Sequence, residues 1–161
     1  MSSNDALVKD AVVIVAGLFV LFGGGLFVYK KTRGLRNNNP GNIRKGADWV
    51  GLAEKQPDPE FATFTDPVYG IRAINRILRT YYKVHGLNTV RGIITRWAPP
   101  TENDTESYVQ SVAGFLGVDP DEPIDVEAYA AQLTAAIIRH ENGVQPYSWA
   151  LLDRGAKMGW A

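Results

Sequence analysis

The pattern of hydrophobic and polar positions divides the chain near residue 30. "AVVIVAGLFVLFGGGLFVY" (11–29) runs for 19 residues without a charge. A helix rising about 1.5 Å per residue over that length spans the hydrocarbon core of a bilayer. A single transmembrane helix is therefore expected over 11–29, behind a short polar amino-terminal stretch (1–10) and ahead of a basic linker (30–36). A cleaved signal peptide would want a basic start and a shorter apolar stretch, whereas Asp5, Lys9 and Asp10 precede this one and "YKKTRGLR" follows it. Gly23, Gly24 and Gly25 would loosen a soluble helix and are better tolerated in a membrane helix. Lys30, Lys31, Arg33 and Arg36 follow the segment and Lys9 alone precedes it, so the positive-inside rule puts the remainder on the cytoplasmic face of a host membrane.

Beyond the linker the pattern is helical. "NNNPGNIR" (37–44) has neither helical nor strand period, and its Asn, Pro and Gly content predicts a structured loop. Trp49, Phe61 and Phe64 are expected to tuck this segment onto the core. A helix should start at Thr65 or Asp66 with Pro67 in its first turn, bury Val68, Ile71, Ile74, Ile77, Leu78 and Tyr81, and stop at Gly86. Thr89 caps a short helix through Ile93 and Ile94 that Pro99 and Pro100 end. "TENDTESYVQSVAGFLG" supplies caps, then Val109, Val112, Phe115 and Leu116, then Gly117 as terminator. A last long helix is expected from Asp125, after the loop "DPDEP". The residues from 37 to 161 read as one domain, mainly α.

Composition narrows the chemistry. Equal acidic and basic counts give a formal net charge of zero, which offers no electrostatic reason to bind nucleic acid. Without cysteine there is neither a disulfide framework nor a thiolate zinc site, and two histidines make a histidine-rich metal site improbable. No cofactor is expected.

One carboxylate stands out. On the last predicted helix Val126, Ala130, Leu133 and Ile137 share the inward face, and Glu141 follows Ile137 by four residues. A carboxyl at the edge of an apolar core loses hydration, and the partial negative charge at a helix carboxyl end acts in the same direction. Both favour the neutral form that a general acid needs. Pairing with Arg139, Arg154 or Lys157, or simple exposure to water, are the structural alternatives. His140 lies about a hundred degrees away around the helix and reads as structural.

"IIRHENGVQPYSWA" resembles the motif I-x-x-x-E-S-G-x-x-P-x-A-x-S of lytic transglycosylases and goose-type lysozymes, with Glu141, Gly143 and Pro146 at the family's spacing and Asn142 in place of Ser. "DPVYGIRAINRILRTYYKVHG" is similar to the family helix that follows a D-P-x-x-N-I start. "DTESYVQSV" is similar to its E-T-R-x-Y-V-x-x-V motif at Thr105, Tyr108, Val109 and Val112. "RGAKMG" resembles the Gly-Ala-x-Gly-Leu-Met run. The order of these motifs looks circularly permuted, with the glutamate helix moved from front to back. "IITRWAPP" stands where the family has Tyr-Asn-Ala-Gly. The long pattern from Arg33 to Met158 is also similar to a group of phage and prophage virion-associated structural proteins regarded as lysozyme-like.

The resemblance implies a lysozyme-like helical domain that cleaves the β-1,4 bond between N-acetylmuramic acid and N-acetylglucosamine in peptidoglycan, with Glu141 as catalytic acid and base. It implies substrate contacts at Asp104, which takes the place of the family's Glu, and at Tyr108. Asn39 and Asn42, with Asn37 and Asn38, are candidate amide donors lining a cleft, and Trp97 and Tyr147 are candidate sugar-stacking faces. Hydrolysis by inversion would want a second carboxylate roughly 6.5 to 9.5 Å away, for which Glu102, Asp104 and Glu106 are available. A transglycosylase route needs only Glu141. The implied partners are glycan strands, a lipid membrane through 11–29 and other virion proteins. The implied location is the membrane of a phage particle or the host inner membrane. The competing expectation is a virion structural protein that keeps the shape as a glycan-binding or assembly module without catalysis.

Overall fold

The computed structural model describes residues 19–22, 25–28 and 31–161. These fall in two compact units that divide between Thr32 and Arg33. In the first, Phe19–Phe22 (β1) and Gly25–Val28 (β2) pair antiparallel, with Phe19 opposite Val28 and Phe22 opposite Gly25. The transmembrane helix expected over 11–29 is thereby corrected, because its described residues form paired strands. Among the described residues no helix is long and apolar enough to cross a membrane. The physical reason is local. Phe19–Phe22 and Gly25–Val28 are rich in Phe, Val and Leu, and a continuous apolar run does not by itself distinguish a strand from a helix. These residue types suit a strand at least as well as a helix. The polar stretch 1–10 and residues 11–18 of the expected span lie outside the described residues.

The second unit is helical, as expected: α1 (Arg33–Arg36), α2 (Pro67–Lys83), α3 (Val90–Trp97), α4 (Thr105–Leu116), α5 (Ala130–Asn142) and α6 (Trp149–Trp160). Arg33–Arg36, expected as linker, is the first helix of this unit and packs against α5. Each of α2, α3 and α4 starts where a side chain satisfies a free backbone N–H. Asp66 accepts from Val68 N ahead of Pro67, Thr89 from Gly92 N, and Asp104 from Ser107 N. Gly117 ends α4 at φ 68°, a left-handed conformation that glycine adopts without penalty.

The core is built from Ile71, Ile74 and Leu78 of α2, Ile93 and Ile94 of α3, Val109 and Val112 of α4, and Leu133, Ile137 and Ile138 of α5, all fully buried. Val126 and Ala130 are buried too, so the inward face predicted for the last long helix is correct. Its start is not. Asp125 caps a separate turn by accepting from Ala128 N, and the regular helix begins at Ala130. Phe64 is buried, while Trp49 and Phe61 are only partly so, and the loop before α2 is pinned by isolated bridges at Arg44–Phe61 and Leu52–Phe64 rather than by strands.

Helix α6 was not anticipated. Ser148 caps it, and it lies along α2 through Gly155 and Gly159, whose missing side chains let the backbones approach. A Cβ at Gly155 would sit 2.4 Å from Ile71 Cγ2, and one at Gly159 2.4 Å from Asn75 Cβ. Between α2, α5 and α6 the buried Asn75 donates to Thr134 Oγ1 (2.9 Å) and Ile71 O (2.9 Å) and accepts from Trp160 Nε1 (3.3 Å), so this polar group within the core is satisfied.

Gly155→Ala should therefore destabilise the domain by about 1 to 3 kcal/mol through overpacking. Gly114→Ala, where an added Cβ meets open space, should stabilise it by about 0.5 to 1 kcal/mol. Urea midpoints of the two variants would check both signs.

Candidate active site

The asparagine loop folds back on itself because its residues satisfy its own backbone. Asn38 and Asn42 take left-handed conformations (φ 51° and 48°), which asparagine tolerates better than most side chains. Asn39 is fully buried and donates to Ile43 O and Ala62 O (both 2.8 Å) while accepting from Ile43 N (2.9 Å). It is a staple within the loop, and it does not line a cleft. Asn37 donates to Asp58 and Asn38 to Phe64 O. Of the four, Asn42 alone reaches the carboxylate.

Asp58 anchors the front of the loop. Its two oxygens take a forked pair of bonds from Arg33 (2.6 Å each), and Phe61 N and Glu60 N donate to Oδ1. The Arg33 guanidinium, then these backbone donors and Asn37, hold the Asp58 carboxyl well below the usual carboxylate range against the opposing effect of burial. On the other side, the loop touches α2 at Gly70, where a Cβ would lie 2.2 Å from Asn38 O, and at Gly41, which faces Ile74 and Trp97.

The loop meets the carboxyl end of α5. Gly143 caps that helix at φ 74°, and the buried Asn142 donates to Pro40 O (2.8 Å) and Ile138 O (2.9 Å). Glu141, half-buried, then receives three donors. Asn42 Nδ2 donates to Oε2 (3.0 Å), and Tyr108 OH (2.9 Å) and Trp97 Nε1 (3.3 Å) donate to Oε1. Four segments thus converge on one side chain: the loop, the end of α3, the face of α4 and the end of α5. Burial, with the charge and hydrogen bond of Glu141 added, raises the Tyr108 hydroxyl well above its ordinary range, so it remains a donor.

Glu141 faces two adjoining grooves. One, of about 350 Å3, is lined by Asn42, Arg44, Phe61, Tyr81, Trp97 and Glu102 among others. The second, of about 240 Å3, is lined by Asn103, Asp104, Ser107, Tyr108, His140 and Glu141. Asn103 and Glu141 belong to both, which makes them parts of one cleft with the carboxylate between. A larger depression of about 540 Å3 lies between α5 and α6, but none of the sequence-derived candidates line it. Convergent polar groups, more than size, mark the site.

The structure thus brings Glu141, Tyr108, Trp97, Asn42 and Asp104 together and leaves out Asn39 and Tyr147. Tyr147 lies toward the start of α2, where burial and the charge of Asp66 push its hydroxyl up to about 12. Asp104 is exposed on the wall of the smaller groove and is occupied as the cap of α4. Among the other carboxylates, Glu102 lines the larger groove 3.6 Å from Arg44, while Glu106 is turned to Arg91 and Gln110. Trp97 meets the carboxylate through its indole N–H. Sequence reasoning missed Asn142 as the tie to the loop and His140, whose ring stacks on Tyr108. Their position beside Glu141 was the available signal. Among the described residues no group of His, Asp or Glu is placed to hold a metal ion.

Fold and site together define a small helical domain with a single donor-ringed carboxylate at the centre of an open cleft. No protein-family model matches the chain. It is 44% identical over 137 residues to Protein P5 of Pseudoalteromonas phage PM2, a stretch covering 83% of this chain and 85% of that protein. The chain belongs to the family of phage proteins that includes this Protein P5.

The loop anchor carries a pH prediction. The folded-state pKa of Asp58 is depressed, so its contribution is fully present above the unfolded value of about 3.9 and is lost as pH falls below it. The stability gap between the natural protein and Asp58→Asn should be widest near neutrality and narrow progressively below about pH 4. Urea unfolding of both proteins at pH 7 and at acid pH would measure it.

Proposed function

We propose that this protein is a virion-associated enzyme that cleaves the β-1,4 bond between N-acetylmuramic acid and N-acetylglucosamine, opening the cell wall during phage entry, on a lysozyme-like helical domain. The observation that carries this is the convergence of Asn42, Trp97 and Tyr108 on Glu141 in the middle of a cleft open on both sides. A glycan strand laid along the two grooves would place a glycosidic oxygen against that carboxyl. The similarity of "IIRHENGVQPYS" and "DTESYVQSV" to lytic transglycosylase motifs and the phage relative support the same reading.

In this reaction protonated Glu141 gives its proton to the glycosidic oxygen as the C1–O bond breaks, and the substrate's N-acetyl oxygen bonds to C1. The carboxylate then takes the C6 hydroxyl proton, and the C6 oxygen displaces the acetamido oxygen to close a 1,6-anhydro ring. The three donors fix the orientation of the carboxyl, so the same group stands in place for both proton transfers. One carboxyl serves both steps.

A second reading has its own observation. All three donors to Glu141 are internal and tie four segments together, which is what a purely structural latch would also do. In that case the domain binds glycan or assembles with other virion proteins without catalysis. Glu141→Gln in the full chain separates the two. Catalysis predicts that lysis of purified cell wall falls at least about a hundredfold, the low end of a general acid's contribution, while wall binding persists. A latch without catalysis predicts no lysis by either protein. Muropeptides examined by mass spectrometry should carry 1,6-anhydro ends. Reducing ends would instead indicate hydrolysis, with Glu102 or Asp104 next to be substituted as the base.

A further inference from the structure

His140 and Glu141 are consecutive on α5, so their side chains leave the helix about a hundred degrees apart. Both nevertheless reach Tyr108. Glu141 Oε1 takes the hydroxyl at 2.9 Å, and the His140 imidazole lies over the phenol ring with centroids 3.6 Å apart and planes at 12°. An exposed histidine on the last turn of a helix ordinarily samples several rotamers, yet this one is spent covering an aromatic face on the neighbouring helix. The body of Tyr108 is held by α4 and the core, and its outer face by His140. The hydroxyl is therefore fixed in the frame of the same helix end that presents the carboxylate.

We infer that His140 is a positioning residue, which acts through Tyr108 to orient the Glu141 carboxyl. The inference rests on the proposed catalytic role of Glu141 only for its kinetic consequence. Tyr108 is one of two donors to Oε1, and the other, Trp97 Nε1, is longer at 3.3 Å. If the phenol swings, the carboxyl loses its shorter Oε1 contact and can rotate away from the cleft axis. Stacking and hydroxyl bond are thus one device, and removing the first should act only when the second is present.

The test is a cycle in the full-length protein. His140→Ala should lower kcat on purified cell wall about fivefold, the scale of one aromatic pair, with KM within about twofold. His140→Phe, which can stack but carries no ring nitrogen, should restore most of that loss. In a Tyr108→Phe background His140→Ala should add nothing. An unchanged kcat in His140→Ala, or the same loss in both backgrounds, overturns the inference. A second readout does not depend on catalysis. The Tyr108 hydroxyl proton, slowed in exchange by its bond to Glu141, should be visible by NMR in the natural protein and in His140→Phe and be lost in His140→Ala. Loss of lysis in Glu141→Gln with a fully active His140→Ala would leave the proposed function standing and remove this inference. If the natural protein cleaves no wall, the proposed function falls and the hydroxyl proton alone decides: its loss in His140→Ala upholds the positioning role, and its persistence ends it.

Discussion

The arrangement depends on two amide contacts between the asparagine loop and the carboxyl end of α5, Asn142 to Pro40 O and Asn42 to Glu141, which join residues 102 and 99 positions apart. Non-local contacts of this kind form only after the entropy of closing the intervening chain has been met, and here the rest of the domain meets it. Gly70 and Gly41 let the loop lie against α2, the Arg33 fork holds its front through Asp58, and left-handed backbone at Asn38 and Asn42 turns it toward the helix end. A buried amide deprived of its partner costs about 1 to 3 kcal/mol. Loop and helix end are therefore ordered together, and the position of Glu141 belongs to the tertiary structure as much as to α5.

How much of this was legible depends on how local each signal is. Helices α2, α3 and α4 could be read because Asp66 with Pro67, Thr89, Asp104 and Gly117 punctuate the chain at the residues that end them. Helix α6 could not be read from periodicity, because its contact face is Gly155, Ala156 and Gly159. Small residues bury little apolar surface and leave no hydrophobic stripe, although at Gly155 and Gly159 they leave no room for a side chain against α2. The apolar run at 11–29 failed for a related reason. A continuous apolar stretch does not by itself distinguish helix from strand, and Phe19–Phe22 and Gly25–Val28 form paired strands.

At the site the types of residue were legible and their partners were not. Asn37, Asn38, Asn39 and Asn42 look alike in sequence, yet three of them spend their amides on Asp58, Phe64 O, Ile43 O and Ala62 O, and one reaches the carboxylate. Only the path of the loop makes that division. Tyr108, matched to a family motif, and Tyr147, a candidate stacking face, are both tyrosines expected at the cleft. The first falls on the face of α4 turned to Glu141, and the second falls after the Gly143 cap, where the chain has left the cleft for the start of α2. Helical spacing carries a side chain's direction for a few turns, and a left-handed cap ends that inference.

The two oxygens of Glu141 are not equivalent, and the difference bears on how the proposed reaction would proceed. A carboxylate oxygen offers two lone pairs. Oε1 accepts from both Tyr108 and Trp97, while Oε2 accepts from Asn42. With a single protein donor, Oε2 is the oxygen left freer to meet a ligand. Asn42 lines the larger groove with Arg44, Phe61 and Tyr81, whereas Tyr108 lines the smaller one. In the proposed reaction a substrate oxygen would therefore be met at Oε2 from the larger groove, while Tyr108 and Trp97 hold the other oxygen still. The loop thus orients the reactive oxygen, and α3 and α4 restrain its twin.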